Sequence, residues 1–482
     1  MTARQSTLTT RGAAAVTRVA GAGWRAACLA AHQNGERFEG LFATLGAVGV
    51  IELRAIFSTP GQTRVIVCEP LDGAVETVVD AIPAAAWDER EAHDLHGLRF
   101  VGHEPLRPLL NHDAPLAAWT VPTIGHGTHE VAVGPIHAGV IESGHFRFHV
   151  VGERILHLDV RLFYKRRGLE AAAAGHPLAT SLAYAQRACA ACAVSNSVAY
   201  AQACEQALGL APDRELSRSR ALLLELERVY NHLHDISAIC AGVGFAAGTM
   251  AYATMKERAQ RLNERLGAHR FLFHTVRVGA SDQTLDAETA ARARGELREL
   301  RAEHASAWRQ LQFTASLQAR LDGVGILTRD DADRLGAVGP AARAAGIVRD
   351  LRSESPQLWY HRFEPVTAPG SAGDVASRTV QRALELDQSF TVLDQLLAGP
   401  LTLGRTRTAF EAAEIGVGRV ESPRGATVCV IERSEGRLRA MHLRTGSYAN
   451  WPALAHTTAG NLLPEFPLIN KSFELCYACT DR

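Results

Sequence analysis

The chain has 482 residues, enough for two domains or more, and carries 51 basic and 51 acidic side chains, so its formal charge is zero. A balanced charge leaves no basic footprint for nucleic acid or an anionic membrane surface, and no run approaches the roughly 18 apolar residues needed to cross a bilayer. Nine cysteines in a chain this long, without disulfide-rich spacing, point to a reducing compartment where thiols stay free for metals or catalysis.

The opening stretch MTARQSTLTTRGAAAVTRVAGAGWR interleaves arginines with small residues. It has no continuous apolar stretch before a cleavage site, so it does not read as a secretory leader. A soluble cytoplasmic protein is the expectation. GVIELRAIF, TRVIVCEP and AVETVVDAI are strand-like runs separated by PGQ and LDG turns, and AAWDEREAHDLHG follows as a charged helix. A connector rich in Pro and His spans residues 103–127 with little periodicity. HFRFHVV and ILHLDVRLF then flank a turn at Gly152 and Glu153 and predict a hairpin. From about residue 177 to 320 the pattern is helical, with LATSLAYAQRACAACAVSNSVAYAQACEQAL as one long helical run. A further helix fits SRTVQRALELDQSFTVLDQLLAG, a hairpin fits TVCVIERSEGRLRAMHL, and an irregular tail leads to the end. The expected fold class is α+β: a small α/β domain over residues 1–115, then a mostly α-helical domain with peripheral β-hairpins over residues 116–482.

Two CxxC pairs stand out, Cys189 with Cys192 and Cys476 with Cys479. Thiolates two residues apart converge on one soft cation when the chain between them turns, and two such pairs make a four-sulfur site. The pairs of a zinc ribbon lie about 15 to 20 residues apart, whereas here the helical domain intervenes. A redox CxxC would want a thioredoxin-like setting, while Cys189 falls in a helical pattern. A four-cysteine iron-sulfur cluster is compatible with the spacing, as is chance. The remaining cysteines read as small buried residues.

The surroundings of these pairs resemble one family. RACAACAVSNSVAYAQACE is similar to the first ligand motif of nickel-iron hydrogenase large subunits, R-x-C-G-x-C-x-x-x-H, and FELCYACTDR to the second, D-P-C-x-x-C, in the C-T-D-R form of energy-converting, membrane-associated hydrogenases. GPIHAGVIESGHFRF, RRGLE, LELERVYNHLHDI, VESPRG, NWPAL and GNLLPEFPLINKSF match the family in order. WDEREAHDLHGLRFVGHEPLRPLL, residues 87–110, resembles the signature of the small hydrophilic subunit of respiratory complex I. That subunit is fused ahead of the catalytic one in formate hydrogenlyase-type enzymes.

The resemblance implies a nickel held by Cys189, Cys192, Cys476 and Cys479, with Cys192 and Cys479 bridging to an iron that carries cyanide and carbon monoxide. It implies that Glu142 relays protons and that Arg424 overhangs the diatomic ligands, where a permanently charged guanidinium suits an anionic neighbourhood. His145 and His137 read either as core or hydrogen-bonded strand residues or, for His145, as the histidine that complex I relatives use from this hairpin at the quinone site. Implied partners are an iron-sulfur small subunit of complex I type carrying the cluster, membrane arm subunits, and formate dehydrogenase or ferredoxin. The implied location is peripheral, on the cytoplasmic side of the cell membrane.

Four positions depart from the family pattern: Ala190 for glycine, Asn196 for histidine, Glu474 for aspartate and Leu475 for proline. None is a ligand, although such neighbours shift metal affinity or activity about 10 to 100-fold. The leading expectation is a hydrogenase large subunit. The alternatives are a quinone-reactive or structural subunit of a complex I-like (NADH dehydrogenase-related) ion-translocating assembly, and a scaffold site holding zinc or iron. Relatives often carry an extension removed just beyond C-T-D-R; with Arg482 last, maturation without an endoprotease is expected.

Overall fold

The computed structural model describes residues 14–46, 49–138, 141–354, 359–360, 363–370 and 372–482. Most of the leader reading, on residues 1–13, and Gly139 and Val140 of the glycine-histidine motif lie outside the described residues.

The N-terminal segment builds a four-stranded sheet from β1 (Ala15–Ala20), β2 (Arg37–Leu45), β3 (Ile51–Thr59) and β4 (Gln62–Glu69), in the order β1-β4-β3-β2. Helix α1 (Trp24–Gln33) makes the crossover that lets β1 run parallel to β4. Helix α2 (Ala86–His96) follows and stops at Gly97, whose φ of 68° is the left-handed cap. Strand alternation gives the sheet two apolar faces. Leu53, Ala55 and Phe57 face Trp24 and Cys28 of α1, while Ile56, Val65 and Val67 face the other way. Of the expected strand AVETVVDAI only Ala74–Glu76 is extended; the rest turns so that Val78 N–H and Thr77 Oγ1 can donate to the buried Glu89 carboxylate.

Beyond the connector, β5 (Thr128–Val133), β6 (His145–Val151) and β7 (Arg154–Arg161) form a meander, which contains the predicted hairpin. The helical body follows: α3 (Leu178–Gln186), α4 (Ala193–Ala207), α5 (Arg214–Gly242), α6 (Ala246–Gly267), α7 (Ala287–Gln312) and α8 (Val375–Leu396). The long helical run expected around the first CxxC is broken at residues 187–192, and Cys189 lies in the break. A continuous helix would carry Cys189 and Cys192 side by side along its axis, whereas a turn lets both thiols point at one locus. Helix α5 is the axle of the body, 29 residues capped by Asp213 accepting from Leu216 N–H at 2.7 Å, and is buried on nearly all sides.

A second sheet, β8 (Ile415–Ser422), β9 (Gly425–Ser434) and β10 (Arg437–Arg444), lies against the N-terminal sheet, with Ile415, Val417, Val428 and Val430 meeting Phe42, Ile56, Val65 and Val67. Its other side meets α4, and there glycine is required: a Cβ on Gly418 would lie 1.8 Å from the Ala199 carbonyl oxygen. The tail, expected to be irregular, is helical: α9 (Gly446–Thr458), α10 (Phe466–Phe473) and α11 (Tyr477–Asp481). Pro452 inside α9 and the prolines opening the following turns hid this pattern.

Candidate metal centre

The turn between α3 and α4 carries the first thiol pair, and α5 holds it from beneath. Cys192 occupies the N-cap of α4 but makes no side-chain cap. Glu227 of α5 substitutes, accepting from Val194 N–H at 2.7 Å, from Ser195 N–H at 3.1 Å and from the Ser195 hydroxyl. One helical turn further on, Tyr230 OH donates to the Ala191 carbonyl at 3.0 Å and Asn231 Nδ2 to the same oxygen at 2.8 Å. Amides and carbonyls of the turn are thus both satisfied by one helix face. Complete burial pushes Glu227 up to about 7 against the hydrogen bonds it receives.

The second pair arrives on the shortest helix of the tail. Cys476 is the N-cap of α11, with its N–H on Ser447 Oγ at 2.9 Å. Cys189 Sγ and Cys476 Sγ are 3.0 Å apart, and the sulfurs of Cys189, Cys476 and Cys479 lie within 4.8 Å of one another. Cys192 packs in the same cluster as Cys189, Cys476 and Cys479, so all four side chains gather in one nest, although the group of sulfurs within 4.8 Å of one another is Cys189, Cys476 and Cys479. The neighbouring Cys189 and Cys479 sulfurs draw Cys192 down to about 6, while the crowding of sulfurs, that of Cys189 first, pushes Cys476 and Cys479 up. Four sulfurs packed this closely cannot all be thiolates without a cation among them. The donor set therefore fits a soft, thiophilic metal.

Arg424 lies against this nest. Its Nε donates to the Glu474 carbonyl at 2.6 Å and its other nitrogens meet Asp235 at 3.1 and 3.0 Å. Burial alone would weaken the guanidinium charge; Asp235, with smaller contributions from Cys192, Glu474 and Cys476, more than offsets it. Asp235 also takes Arg382 Nε at 3.0 Å and faces His232 Nδ1 at 3.5 Å. His232 Nε2 reaches Glu385 at 3.2 Å, and Arg343 joins Glu385 to Glu421 at 2.7 and 2.9 Å. A line of buried charges thus runs from the sulfurs into the helical body.

Glu142 sits at the second thiol pair, where its Oε2 accepts the Ala478 N–H at 2.8 Å. Burial, then the proximity of Cys476, raises its proton affinity. Asp481 accepts from Phe163 and Lys165 N–H at 2.8 and 2.9 Å, and burial pushes it up to about 6. His137 Nε2 donates to the Gly144 carbonyl at 2.7 Å and His145 Nδ1 contacts the Gly134 carbonyl at 3.1 Å, so both rings tie the β5–β6 connection.

The six residues singled out by sequence, Cys189, Cys192, Cys476, Cys479, Arg424 and Glu142, are brought together. Glu227, Tyr230, Asn231 and Asp235 were not anticipated as contributors. Of these only Asp235 had a signal in α5, where Glu225, Arg228, His232 and Asp235 recur every three or four residues on a face that is otherwise apolar and buried. Of the departures, Ala190 does not have the positive φ that would demand glycine. Asn196 points Nδ2 at Cys479 Sγ from 3.9 Å and leaves its buried Oδ1 without a partner among the described residues. Glu474 turns its carboxylate to His234 at 3.2 Å and presents its carbonyl to Arg424.

Residues 18–120 match the model of the respiratory-chain NADH dehydrogenase 30 kDa subunit, and residues 242–415 that of the 49 kDa subunit. Neither cysteine pair falls within those segments. Hydrogenase-4 component G of Escherichia coli is 31% identical over 436 residues, covering 84% of this chain and 75% of that protein. Formate hydrogenlyase subunit 5 of the same organism is 31% identical over 440 residues, covering 84% and 76%. The archaeal membrane-bound sulfane sulfur reductase contains a chain of the same fold, with a TM-score of 0.67 at 23% identity, covering 75% of this chain and all of that one. Identity at this level over this share of both E. coli proteins means that the chain belongs to the oxidoreductase family of complex I-related hydrogenase large subunits, with a 30 kDa-like segment fused ahead of a 49 kDa-like one.

Proposed function

We propose that the chain is the large subunit of a membrane-associated, energy-converting nickel-iron hydrogenase that interconverts H2 with protons and electrons and passes the electrons to an iron-sulfur small subunit. The observation that carries this reading is the convergence of two thiol pairs, 287 residues apart from Cys189 to Cys476, beside a buried arginine. Cys189, Cys192, Cys476 and Cys479 would hold a nickel-iron centre whose iron bears cyanide and carbon monoxide. The centre, when bound, supplies heterolytic cleavage of H2. Arg424, braced by Asp235, sets a fixed positive charge on the anionic side. Glu142, close to Cys476, takes up a proton and passes it outward, a role that its raised proton affinity suits.

Residues 1–115 and 116–482 act as the two functional parts. The subunit sits peripherally on the cytoplasmic face, held by membrane arm subunits; among the described residues no helix is long and apolar enough to cross a membrane. The electron partner beyond the small subunit is of the formate dehydrogenase or ferredoxin class. The test is elemental analysis with infrared spectroscopy on the anaerobically purified complex. Nickel, iron and cyanide and carbonyl stretches are expected, and Cys476→Ala should abolish the nickel; their absence from the native complex would overturn the reading.

A further inference from the structure

Helix α11, which carries the second thiol pair, has five residues, far below the roughly 12 to 15 that an isolated helix needs in water. Its order comes from what it docks against. Trp451 Nε1 donates to Thr480 Oγ1 at 3.1 Å, Arg167 N–H donates to the Arg482 carbonyl at 2.8 Å, and Asp481 takes two amides as described. The strongest contact comes from outside the helical body. The Arg482 guanidinium, only 4% exposed, directs its Nη2 at both carboxylate oxygens of Glu91 of α2, at 2.5 and 2.6 Å. Glu170 at 3.2 Å and the Leu443 carbonyl at 3.0 Å complete its partners, and the Tyr448 ring lies beneath it at 4.9 Å.

A guanidinium cannot shed its charge, so burial is tolerated only while its carboxylates are in place. Without Glu91 the side chain must leave for water or strip its hydration, and Cys479 is three residues away on the same short helix. Glu91 shares a face of α2 with Asp88, which pairs with Arg444 of β10 at 2.9 Å. One helix of the N-terminal segment therefore carries two adjacent carboxylates: one grips the second sheet, and the other grips the metal-binding tail.

We infer that Glu91 is a positioning residue for the thiol nest, so that the N-terminal segment is a working part of the metal centre and seats its second CxxC pair. The inference rests on the metal reading above only for what the sulfurs hold.

The experiment compares full-length wild type, Glu91→Gln, Arg482→Gln and Asp88→Asn. In metal-free protein the readouts are amide hydrogen exchange over residues 475–482 and the alkylation rate of Cys476 and Cys479, with buried Cys28 reporting on the N-terminal fold. In loaded protein the readout is nickel release to a chelator. Glu91→Gln and Arg482→Gln should each speed alkylation and metal release at least tenfold with Cys28 still protected, while Asp88→Asn stays within twofold of wild type. Unchanged rates in Glu91→Gln, equal effects from Asp88→Asn, or exposure of Cys28 would each overturn the inference. If the wild-type complex holds no metal, the alkylation and exchange results still decide the role of Glu91, and the metal reading falls alone.

Discussion

Glu142 and His304 show how the same force, burial, has different consequences at two sites. Glu142 accepts the Ala478 amide beside Cys476 and has a raised proton affinity. Glu142→Gln keeps the shape and removes the exchangeable proton, so it is expected to leave metal content unchanged and to slow hydrogen-deuterium exchange by about 10²-fold or more, read by mass spectrometry of the gas. His304, on α7 facing Tyr252 OH at 3.1 Å, is driven from 6.5 to about 4 by burial. Between those values the unfolded chain binds a proton that the folded chain refuses. Stability is therefore complete above pH 6.5 and falls as the pH drops toward 4, by about 3 kcal/mol in total. His304→Gln, neutral throughout, should flatten the melting temperature of the helical body across that window; an unchanged slope would dismiss His304 as its source.

Among the elements, α4 and its neighbours carry the tightest constraints. The helix begins on a cysteine whose sulfur faces the other thiols and so cannot cap, and Glu227 of α5 does the capping from across the interface. Glu227→Ala leaves buried amides unpaired at a cost of about 1–3 kcal/mol per group. It should accelerate amide exchange at Val194 and Ser195 and weaken metal retention roughly 10 to 100-fold in chelator competition. The opposite side of α4 rests on β8 through Gly416 and Gly418. Gly418→Ala forces a methyl onto the Ala199 carbonyl, and a loss of about 1–3 kcal/mol or more is expected in denaturant unfolding.

For the molecule as a whole, the two sheets meet over an apolar patch bordered by buried ion pairs. Arg419 reaches Glu39 at 2.6 Å and Ser58 at 2.8 Å, and Arg54 pairs with Glu432. Burial favours the neutral form of Glu39, yet Arg419 outweighs it and holds the carboxyl at about 2. Removing one partner strands the other, so Arg419→Ala should cost about 3–5 kcal/mol, while Arg419→Met with Glu39→Met recovers most of that loss. Denaturant titration of the three proteins tests this. A single and a double variant of equal stability would show that the pair does not couple the sheets.

Local patterning determined a good deal. The period-2 runs at residues 51–59 and 62–69, the turns at Gly152 and Ser434–Gly436, and the apolar spacing in residues 375–396 each encode an element through contacts within a few residues. The CxxC spacing likewise marks two thiol pairs as candidate soft ligands before any fold is known. The break in the helix at Cys189 was not legible, because the residues that enforce it, Glu227, Tyr230 and Asn231, lie about 40 positions away. Nor was the helical tail, whose prolines read as breakers although the packing around Trp451 and Phe466 tolerates them. Which carboxylate faces Arg482, and which arginine faces Asp235, are questions of charge burial. A side chain in water has no preferred partner, and only the removal of water across packed elements makes one pairing far better than the rest.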